Sequence, residues 1–185
     1  MQAAIPLLAR QGYRGASLAA IAAAVDMSQP GVLHHFPSKE ALLLAVLEER
    51  DRDDAQRVSD ALTGPGLDPL AALAPLVAHN QSTRELVQLF TVLVGEAVAE
   101  EHPAHQHFVE RYQAIRGRLL HRLRQAQAAG EVREDVDLEG LVPVILAVMD
   151  GLQIQWLLDP RIDMLASFTA FAGVLKAHLA TAGQT

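Results

Sequence analysis

Four polar side chains near the N-terminus have the spacing to bind anions. Ser17, Ser28 and Ser38 each stand immediately before a run with helical spacing, where a serine hydroxyl caps the first backbone N–H groups of a helix. Such a helix start also favours phosphate, because its N–H groups and its dipole attract negative charge. Lys39 stands at a first helical position, which disfavours a cation unless an anion lies beside it. The spacing therefore predicts phosphate contacts from these residues.

The short run after Ser28 has the two faces of a helix that reads DNA. Val32 and Phe36 are four residues apart and would pack inward as an apolar pair. The opposite face of a recognition helix meets base edges in the major groove, where glutamine can form two hydrogen bonds with adenine. Proline and glycine are poor helix formers, so their presence here favours close approach of the backbone to DNA. The residues predicted to face DNA are Gln29, Pro30, Gly31, His34 and His35.

Three histidines further along the chain raise the alternative of a zinc or nickel site. His102 and His105 are spaced to share a helix face, whereas His105 and His107 are not. Pro103 fits the first turn of a helix, which leaves His102 outside that helix. A solvated helix start is the better interpretation, and we predict no metal and no other cofactor.

Two polar pairs raise the alternative of an enzyme, namely Asp150 with Glu96 and His79 with Asn80. Neither pair has the spacing of a nucleophile, a base and an oxyanion donor. The sequence also lacks a glycine-rich phosphate loop. We therefore predict that the protein is not an enzyme.

The elements that must position these residues are helices. Half of the residues are apolar but only 4% are aromatic, so alanine, leucine, valine and isoleucine must form the core. Apolar residues recur with a period near 3.6 along nearly the whole chain, which favours helices. We predict an all-α fold of about nine helices, at residues 2–11, 18–25, 29–35, 39–60, 69–80, 83–101, 104–129, 138–157 and 163–182.

Composition and charge divide the chain into two predicted domains. The glycine- and proline-containing stretch 62–69 is the clearest linker. We predict a DNA-binding domain at 1–46, with its helix-turn-helix at 17–36, and a larger domain at 47–185. Residues 1–47 carry three basic and two acidic groups, whereas the rest of the chain carries twelve and twenty. The net charge of −7 thus excludes a generally basic coat but allows a compact DNA-facing end.

Residues 5–44 resemble the DNA-binding domain of TetR-family transcriptional regulators, without gaps. Stretches 130–137 and 149–160 are more weakly similar to later parts of such regulators. The resemblance implies a homodimer that binds a palindromic double-stranded DNA operator, typically a repressor released by a small-molecule effector. The residues that carry it are Gly12-Tyr13, Ser17, Ile21-Ala22, Ser28, His35-Phe36, Ser38-Lys39-Glu40 and Leu42.

Three departures from the family pattern favour a second hypothesis. Asp26 replaces a turn glycine, although aspartate tolerates left-handed geometry. Leu33 replaces a tyrosine that usually touches phosphate. The sequence begins almost within the first helix and shows no basic arm, so either arm contacts are lacking or the true start lies upstream. The alternative is a dimeric small-molecule-binding or interaction protein with weakened DNA binding.

The last two predicted helices have patterns typical of a dimer interface. Helix 138–157 is apolar on nearly every side, which predicts burial all round, and one subunit covers only part of it. The ninth helix has a bulky stripe and a separate small-residue stripe. Two helices from each subunit would form a two-fold four-helix bundle; the alternative is that both stripes pack internally. The predicted interface residues are Ala147, Gly151, Ala166, Ala170, Gly173 and Ala177.

Polar residues inside apolar runs are the candidates for an effector pocket. Ligand pockets are mostly apolar with a few directed polar groups. Each of these residues could instead be a satisfied polar group of the core or interface. The predicted pocket residues are Gln88, Phe90, Thr91, Glu96, Tyr112, Asp150, Gln153 and Trp156.

The sequence favours a cytoplasmic protein without a membrane segment. It contains no cysteine, as fits a reducing compartment. We expect no apolar run to approach the roughly 18 residues that span a bilayer, and the start does not read as a signal peptide.

Overall fold

The computed structural model describes residues 4–61 and 70–180. Within these ranges the chain forms nine α-helices, a 3-10 turn at Ala71–Leu73 and no strand, as an all-α fold predicts. The predicted linker 62–69 lies outside the described residues. The helices are α1 (Ile5–Gly15), α2 (Leu18–Ala24), α3 (Gln29–His35), α4 (Lys39–Ala61), α5 (Ala74–Ser82), α6 (Arg84–Glu96), α7 (His105–Ala128), α8 (Leu138–Leu158) and α9 (Met164–Leu179).

Two helix ends differ from the sequence prediction for identifiable reasons. The predicted end of α1 at Gly12 is a break, with φ 66° and ψ −177°, after which the helix continues to Gly15. Helix α6 ends at Glu96 rather than at residue 101. There the Nδ1–H of His105 donates to the carbonyl of Ala97 (2.8 Å), which satisfies an acceptor at the end of the helix. The helix therefore ends five residues earlier than predicted, at a point where a side chain of α7 binds the Ala97 carbonyl.

The chain divides into two compact units whose boundaries differ from the predicted domains. One unit consists of the described residues in Met1–Gln56 and Thr83–Glu110, and the other of those in Arg57–Ser82 and Arg111–Thr185. The first unit therefore joins the predicted DNA-binding helices to α6 and to the start of α7. The predicted domain boundary after residue 46 remains a prediction.

The first unit is built on packing of α1 against α6. Leu8 and Ala9 of α1 and Val87 and Leu93 of α6 are fully buried. Phe90 of α6 meets Phe108 of α7 edge to face, with ring centroids 5.4 Å apart. This core places the end of α6 directly beside the break in α1.

The second unit has its own core between α7, α8 and α9. Its largest fully buried side chain is Phe168, and Leu123 and Ile145 are also inaccessible to solvent. Two hydrogen bonds tie α9 in place: Leu165 N–H donates to Gln81 Oε1 (3.0 Å), and Arg133 N–H donates to the Leu179 carbonyl (2.9 Å). The bulky stripe predicted on α9 packs internally, since Met164, Phe168, Leu175 and Leu179 are buried and Phe171 is half-buried.

Helix α8 corrects one expectation from the sequence. Its 21 residues, Leu138–Leu158, are long and apolar enough to cross a membrane by length and composition, although no run of that length was expected. Buried helices of globular proteins pass the same test. Only about a third of its most apolar 18-residue stretch is buried within the described chain, so the rest of that stretch is half-buried or exposed.

Candidate DNA-binding surface and helical interface

The predicted helix-turn-helix forms with the expected caps. Ser17 Oγ accepts the N–H of Ala20 (3.0 Å), and Ser28 Oγ accepts that of Gly31 (3.2 Å). Asp26 has a φ of 53° in the turn, so it adopts the left-handed conformation expected of the residue that replaces glycine. The two serines thus fix where α2 and α3 begin.

Helix α3 has the predicted division into two faces. Val32 is buried, and Gly31 is half-buried beside the Met27 side chain. Met27 itself is 38% exposed. The exposed residues of the segment are Ser28, Gln29, Pro30, Leu33, His34 and His35.

Lys39 faces the end of α1. Its Nζ donates to the carbonyls of Tyr13 (2.7 Å) and Ala16 (2.9 Å). The same nitrogen lies 4.2 Å from the centre of the Tyr13 ring, a cation–π contact. These acceptors compensate for the cation at a helix start, a compensation that the sequence reasoning assigned to phosphate. Two of the three ammonium N–H groups are used in this way.

Glu96, predicted to line an effector pocket, lies at the break in α1. Its Oε2 accepts the N–H of Tyr13 (2.8 Å). A Cβ at Gly12 would overlap the Glu96 carboxylate, and the φ and ψ of Gly12 belong to a region that is essentially restricted to glycine. The glycine therefore serves both the backbone bend and the close approach of the carboxylate.

His102 is a buried neighbour of Glu96 that sequence reasoning placed at a solvated helix start. Its Nδ1 accepts the N–H of Ala104 (3.2 Å), so in the neutral ring the hydrogen is on Nε2. Nε2 lies 3.4 Å from Glu96 Oε2, and the ring meets the Tyr13 ring edge to face. Burial lowers the pKa of His102 despite the opposing effect of the nearby Glu96 carboxylate.

The other two histidines of this region have separate partners. His105 binds the carbonyl of Ala97, whereas His107 Nε2 lies 3.1 Å from Asp51 Oδ2 of α4. No group of three potential metal ligands occurs among residues 4–61 and 70–180. The three histidines thus make three different contacts.

A charged cluster in the first unit was missed by sequence reasoning. Arg50 and Asp54 are both buried, and Arg50 Nη2 lies 3.6 Å from Asp54 Oδ2. The Arg50 guanidinium also lies 4.1 Å from the centre of the Phe90 ring. The i,i+4 spacing of Arg50 and Asp54 was visible in the sequence. Their burial was not, because it depends on α6.

The eight predicted pocket residues fall into two groups of four. Those of the first unit largely brace its own helices: Gln88 Nε2 donates to the Ala9 carbonyl (3.2 Å), Phe90 is buried, Thr91 is half-buried and Glu96 holds Tyr13. At least Gln88 and Glu96 therefore make structural contacts within the unit, which the sequence alone did not indicate.

The second group of four lies in the second unit. The hydroxyl of Tyr112 donates to Asp150 Oδ2 (2.7 Å). Gln153 and Trp156 follow on α8 at three-residue spacing and are both buried. Helix α8 thus carries a partly polar buried row, whose members remain candidates for effector contacts.

The small-residue stripe of α9 is exposed in the single chain. Added Cβ atoms at Gly151 and Gly173 would meet no atom within 4 Å, so no contact in the described chain requires glycine there. The bulky stripe of the same helix is largely buried, whereas the small-residue stripe is exposed, so the two stripes do not both pack internally in the described chain. Of the predicted interface residues, Gly151 is half-buried; the exposed ones are Ala147, Ala166, Ala170, Gly173 and Ala177.

Large apolar side chains adjoin these small residues. Leu158 of α8 is 82% exposed and Val174 of α9 is 73% exposed. Val144 and Ile154 lie on the same face of α8 as Ala147 and are also exposed. Several exposed large apolar side chains on two neighbouring helices are typical of a surface that another protein covers.

Two family models match the chain. Residues 1–46 match the model described as bacterial regulatory proteins of the tetR family. Residues 70–182 match the C-terminal domain of BetI-type transcriptional repressors, which is more than half of the chain. The two matches correspond to the helix-turn-helix segment and to the helices from the 3-10 turn to the end of α9.

Known proteins resemble the chain in sequence and in fold. The HTH-type transcriptional repressor AcnR of Corynebacterium diphtheriae is 25% identical over 143 residues, which cover 77% of this chain and 71% of AcnR. The structure of GusR from Salmonella enterica is 26% identical, with a TM-score of 0.74, and the match covers 97% of this chain and 92% of GusR. The structure of FadR from Bacillus subtilis in complex with stearoyl-CoA has a TM-score of 0.84 at 18% identity, covers 96% of both chains and shows likeness of fold.

Proposed function

The chain belongs to the TetR family of DNA-binding transcriptional repressors, and we propose that it binds a palindromic operator as a homodimer and is released by a small-molecule effector. The single observation that carries the proposal is the exposed polar face of α3 on a capped helix-turn-helix. The expected location is the cytoplasm, where the DNA is, and no cofactor is expected.

The DNA-facing residues suit two kinds of contact. Gln29 is exposed at the start of α3, where its amide can read a base edge. The hydroxyls of Ser17 and Ser28 accept backbone N–H groups and retain their own hydrogens for a phosphate oxygen. Lys39 retains one N–H group after its two carbonyl contacts. Base reading thus depends on α3, and positioning on the helix starts.

Dimer formation is supported by the exposed faces of α8 and α9. Glycine and alanine allow two helices to approach closely, and Leu158 and Val174 supply apolar area to bury. A two-fold pair of such faces contributes four helices to one bundle. The same symmetry would present two copies of α3 to two operator half-sites.

Effector release is supported by the buried polar row on α8. The Gln153 amide oxygen has no hydrogen-bond partner in the described chain and is buried beside the turn that holds Asp150. An effector can only displace DNA if it prefers the conformation that fits the operator badly. A coupling of about 1–3 kcal/mol changes operator affinity roughly 5–150-fold.

The test is binding of the purified protein to the DNA upstream of its own gene, compared with a random duplex. Gln29→Ala should lower the ratio of specific to random affinity, because it removes a base contact but no charge. Ser17→Ala should weaken binding to both duplexes. Equal effects of the two substitutions on both duplexes contradict this division of roles. Equal weak binding of the wild type to both supports the alternative of a dimer with lost operator affinity, for which Leu33 offers no phosphate donor.

A further inference from the structure

We propose that Glu96, outside the helix-turn-helix segment, is a positioning residue for DNA binding, acting through the backbone of Tyr13. The proposal rests on the DNA-binding function and goes beyond it by assigning this role to a residue that has no DNA contact. Its basis is a set of contacts around Tyr13, all within the first unit, which we call the Tyr13 clamp. The clamp consists of Gly12, Tyr13, Lys39, Glu96 and His102.

The clamp holds Tyr13 at three points. Glu96 Oε2 accepts its N–H (2.8 Å), and Lys39 Nζ donates to its carbonyl (2.7 Å). The ring lies under the Lys39 ammonium and 5.3 Å from the His102 ring. A half-buried residue with its donor, its acceptor and its ring all held has little freedom left.

Tyr13 lies before the helix-turn-helix segment and contacts a residue that follows it. Tyr13 follows the break at Gly12 and stands four residues before the Ser17 cap of α2. Lys39, which binds both Tyr13 and Ala16, begins α4 directly after α3. The chain segments before α2 and after α3 therefore meet at Tyr13. Glu96 joins Tyr13 to the end of α6.

His102 lies beside the same Glu96 oxygen, Oε2, that accepts the Tyr13 N–H. Its Nδ1 is occupied by the Ala104 N–H, so its Nε2–H faces the carboxylate. Its ring is 5% exposed, which leaves it little room to turn away. The Glu96 carboxylate thus contacts both a buried histidine and the Tyr13 backbone, as a positioning role requires.

A purely electrostatic role and a positioning role predict opposite changes in DNA affinity when Glu96 is replaced. A carboxylate repels the DNA polyanion, so removing it should tighten binding if only charge matters. If Glu96 positions Tyr13, Glu96→Ala should weaken binding to the upstream duplex about tenfold, since a hydrogen bond to a charged acceptor is lost. Glu96→Gln retains an acceptor and should stay within about threefold of wild type. Glu96→Asp retains the charge but shortens the reach, and should weaken binding like alanine.

The decisive experiment measures the four proteins by fluorescence anisotropy against the upstream and random duplexes over a range of salt. Glu101→Ala is the matched control, because Glu101 is exposed and five residues away. Its affinity should equal or exceed that of wild type. The salt dependence of Glu96→Ala should equal that of wild type, since no phosphate contact is lost. Wild-type or tighter binding by both Glu96→Ala and Glu96→Asp overturns the proposal.

Amide hydrogen exchange tests the clamp without DNA. The Tyr13 amide should exchange about tenfold faster in Glu96→Ala than in wild type, while amides in α9 remain unchanged. Equal exchange at Tyr13 overturns the proposal even where the operator is wrongly chosen. A wild type that fails to distinguish the two duplexes counts against the proposed operator binding alone. If Glu96→Ala does not fold, Glu96→Asp and Glu96→Gln give the same contrast.

Discussion

The outer face of α3 and the outer face of α8 and α9 are both exposed, but they differ in chemistry and in their support. The face of α3 is polar, and charged side chains such as Lys39 and Glu96 hold the backbone around it by hydrogen bonds. The face of α8 and α9 is apolar, and bulky core residues such as Phe168 support it. Exposure alone therefore does not identify a partner; the chemistry of the exposed groups does.

The difference in support has a physical reason. A DNA-reading helix needs a fixed backbone and polar groups left over for the nucleic acid, so its bracing falls to hydrogen bonds from neighbouring segments. A helix that pairs with a second copy needs close approach over an apolar area, so its bracing comes from packing. Substitutions that affect the two faces should therefore be detected by different measurements: dimer formation for α8 and α9, and stability and DNA binding for the support of α3.

The largest expected effect is on assembly. Gly173→Leu should weaken the dimer by about 3 kcal/mol, roughly 150-fold, because a two-fold interface carries the overpacked residue twice. The subunit itself should fold, since a Cβ at Gly173 meets nothing within 4 Å. Light scattering should show monomers at concentrations where wild type is dimeric. Gly95→Leu, at another open glycine, is the control and should leave the dimer intact. Dimeric Gly173→Leu protein removes α9 from the interface.

The next effect is on the support of the DNA-reading face. Gly12→Ala should lower the free energy of unfolding by about 2–3 kcal/mol, because alanine is strained at this φ and ψ and its Cβ displaces the Glu96 carboxylate. Urea unfolding at fixed protein concentration measures the change. Gly15→Ala, at the end of the same helix without positive φ, should cost less than about 1 kcal/mol. Comparable losses for both glycines would falsify the special role of residue 12.

Lys39→Ala should have an intermediate effect that separates its two roles. Loss of two hydrogen bonds from a half-buried ammonium should lower unfolding free energy by about 1–2 kcal/mol. Lys176→Ala, at an exposed site, should change it by less than about 0.5 kcal/mol. The salt dependence of DNA binding by Lys39→Ala then decides the other role. A slope lower by about one indicates a phosphate contact as well, and an unchanged slope leaves Lys39 as a brace only.

The smallest effect is the dependence of stability on pH. Because burial lowers the pKa of His102 in the folded state, the unfolded chain takes up this proton first as pH falls. The contribution of His102 is thus fully present above about pH 6.5 and is lost as pH falls from there toward the folded pKa. His102→Gln, which keeps hydrogen-bonding groups but does not titrate, should lose less in melting temperature than wild type between pH 7 and pH 5. Parallel losses in the two proteins contradict this assignment.

The sequence predicted the elements well and their long-range partners poorly. Ser17 and Ser28 could be identified as caps because an N-cap acts on residues three positions away. The contact of Glu96 with Tyr13 spans 83 positions, and no local pattern encodes it. A lone carboxylate in an apolar run indicates that it has a partner but not which one. Glu96 was therefore assigned to an effector pocket, although its partner is the Tyr13 backbone.

The same limit applies to Lys39 and to α8. The sequence correctly indicated that a cation at a helix start needs compensation, but the compensation includes backbone carbonyls of α1. The apolar character of α8 was visible at once. Which of its residues would stay exposed, such as Val144 and Leu158, depended on how α9 packs against it.

The most direct test of the central claim is fluorescence anisotropy of the purified protein with the duplex upstream of its own gene, beside a random duplex, as salt is raised. The account predicts tight binding to the first duplex that weakens steeply with salt, because phosphate contacts release counterions. It also predicts much weaker binding to the random duplex. Equal affinity for the two duplexes at every salt concentration would contradict sequence-specific recognition by the outer face of α3.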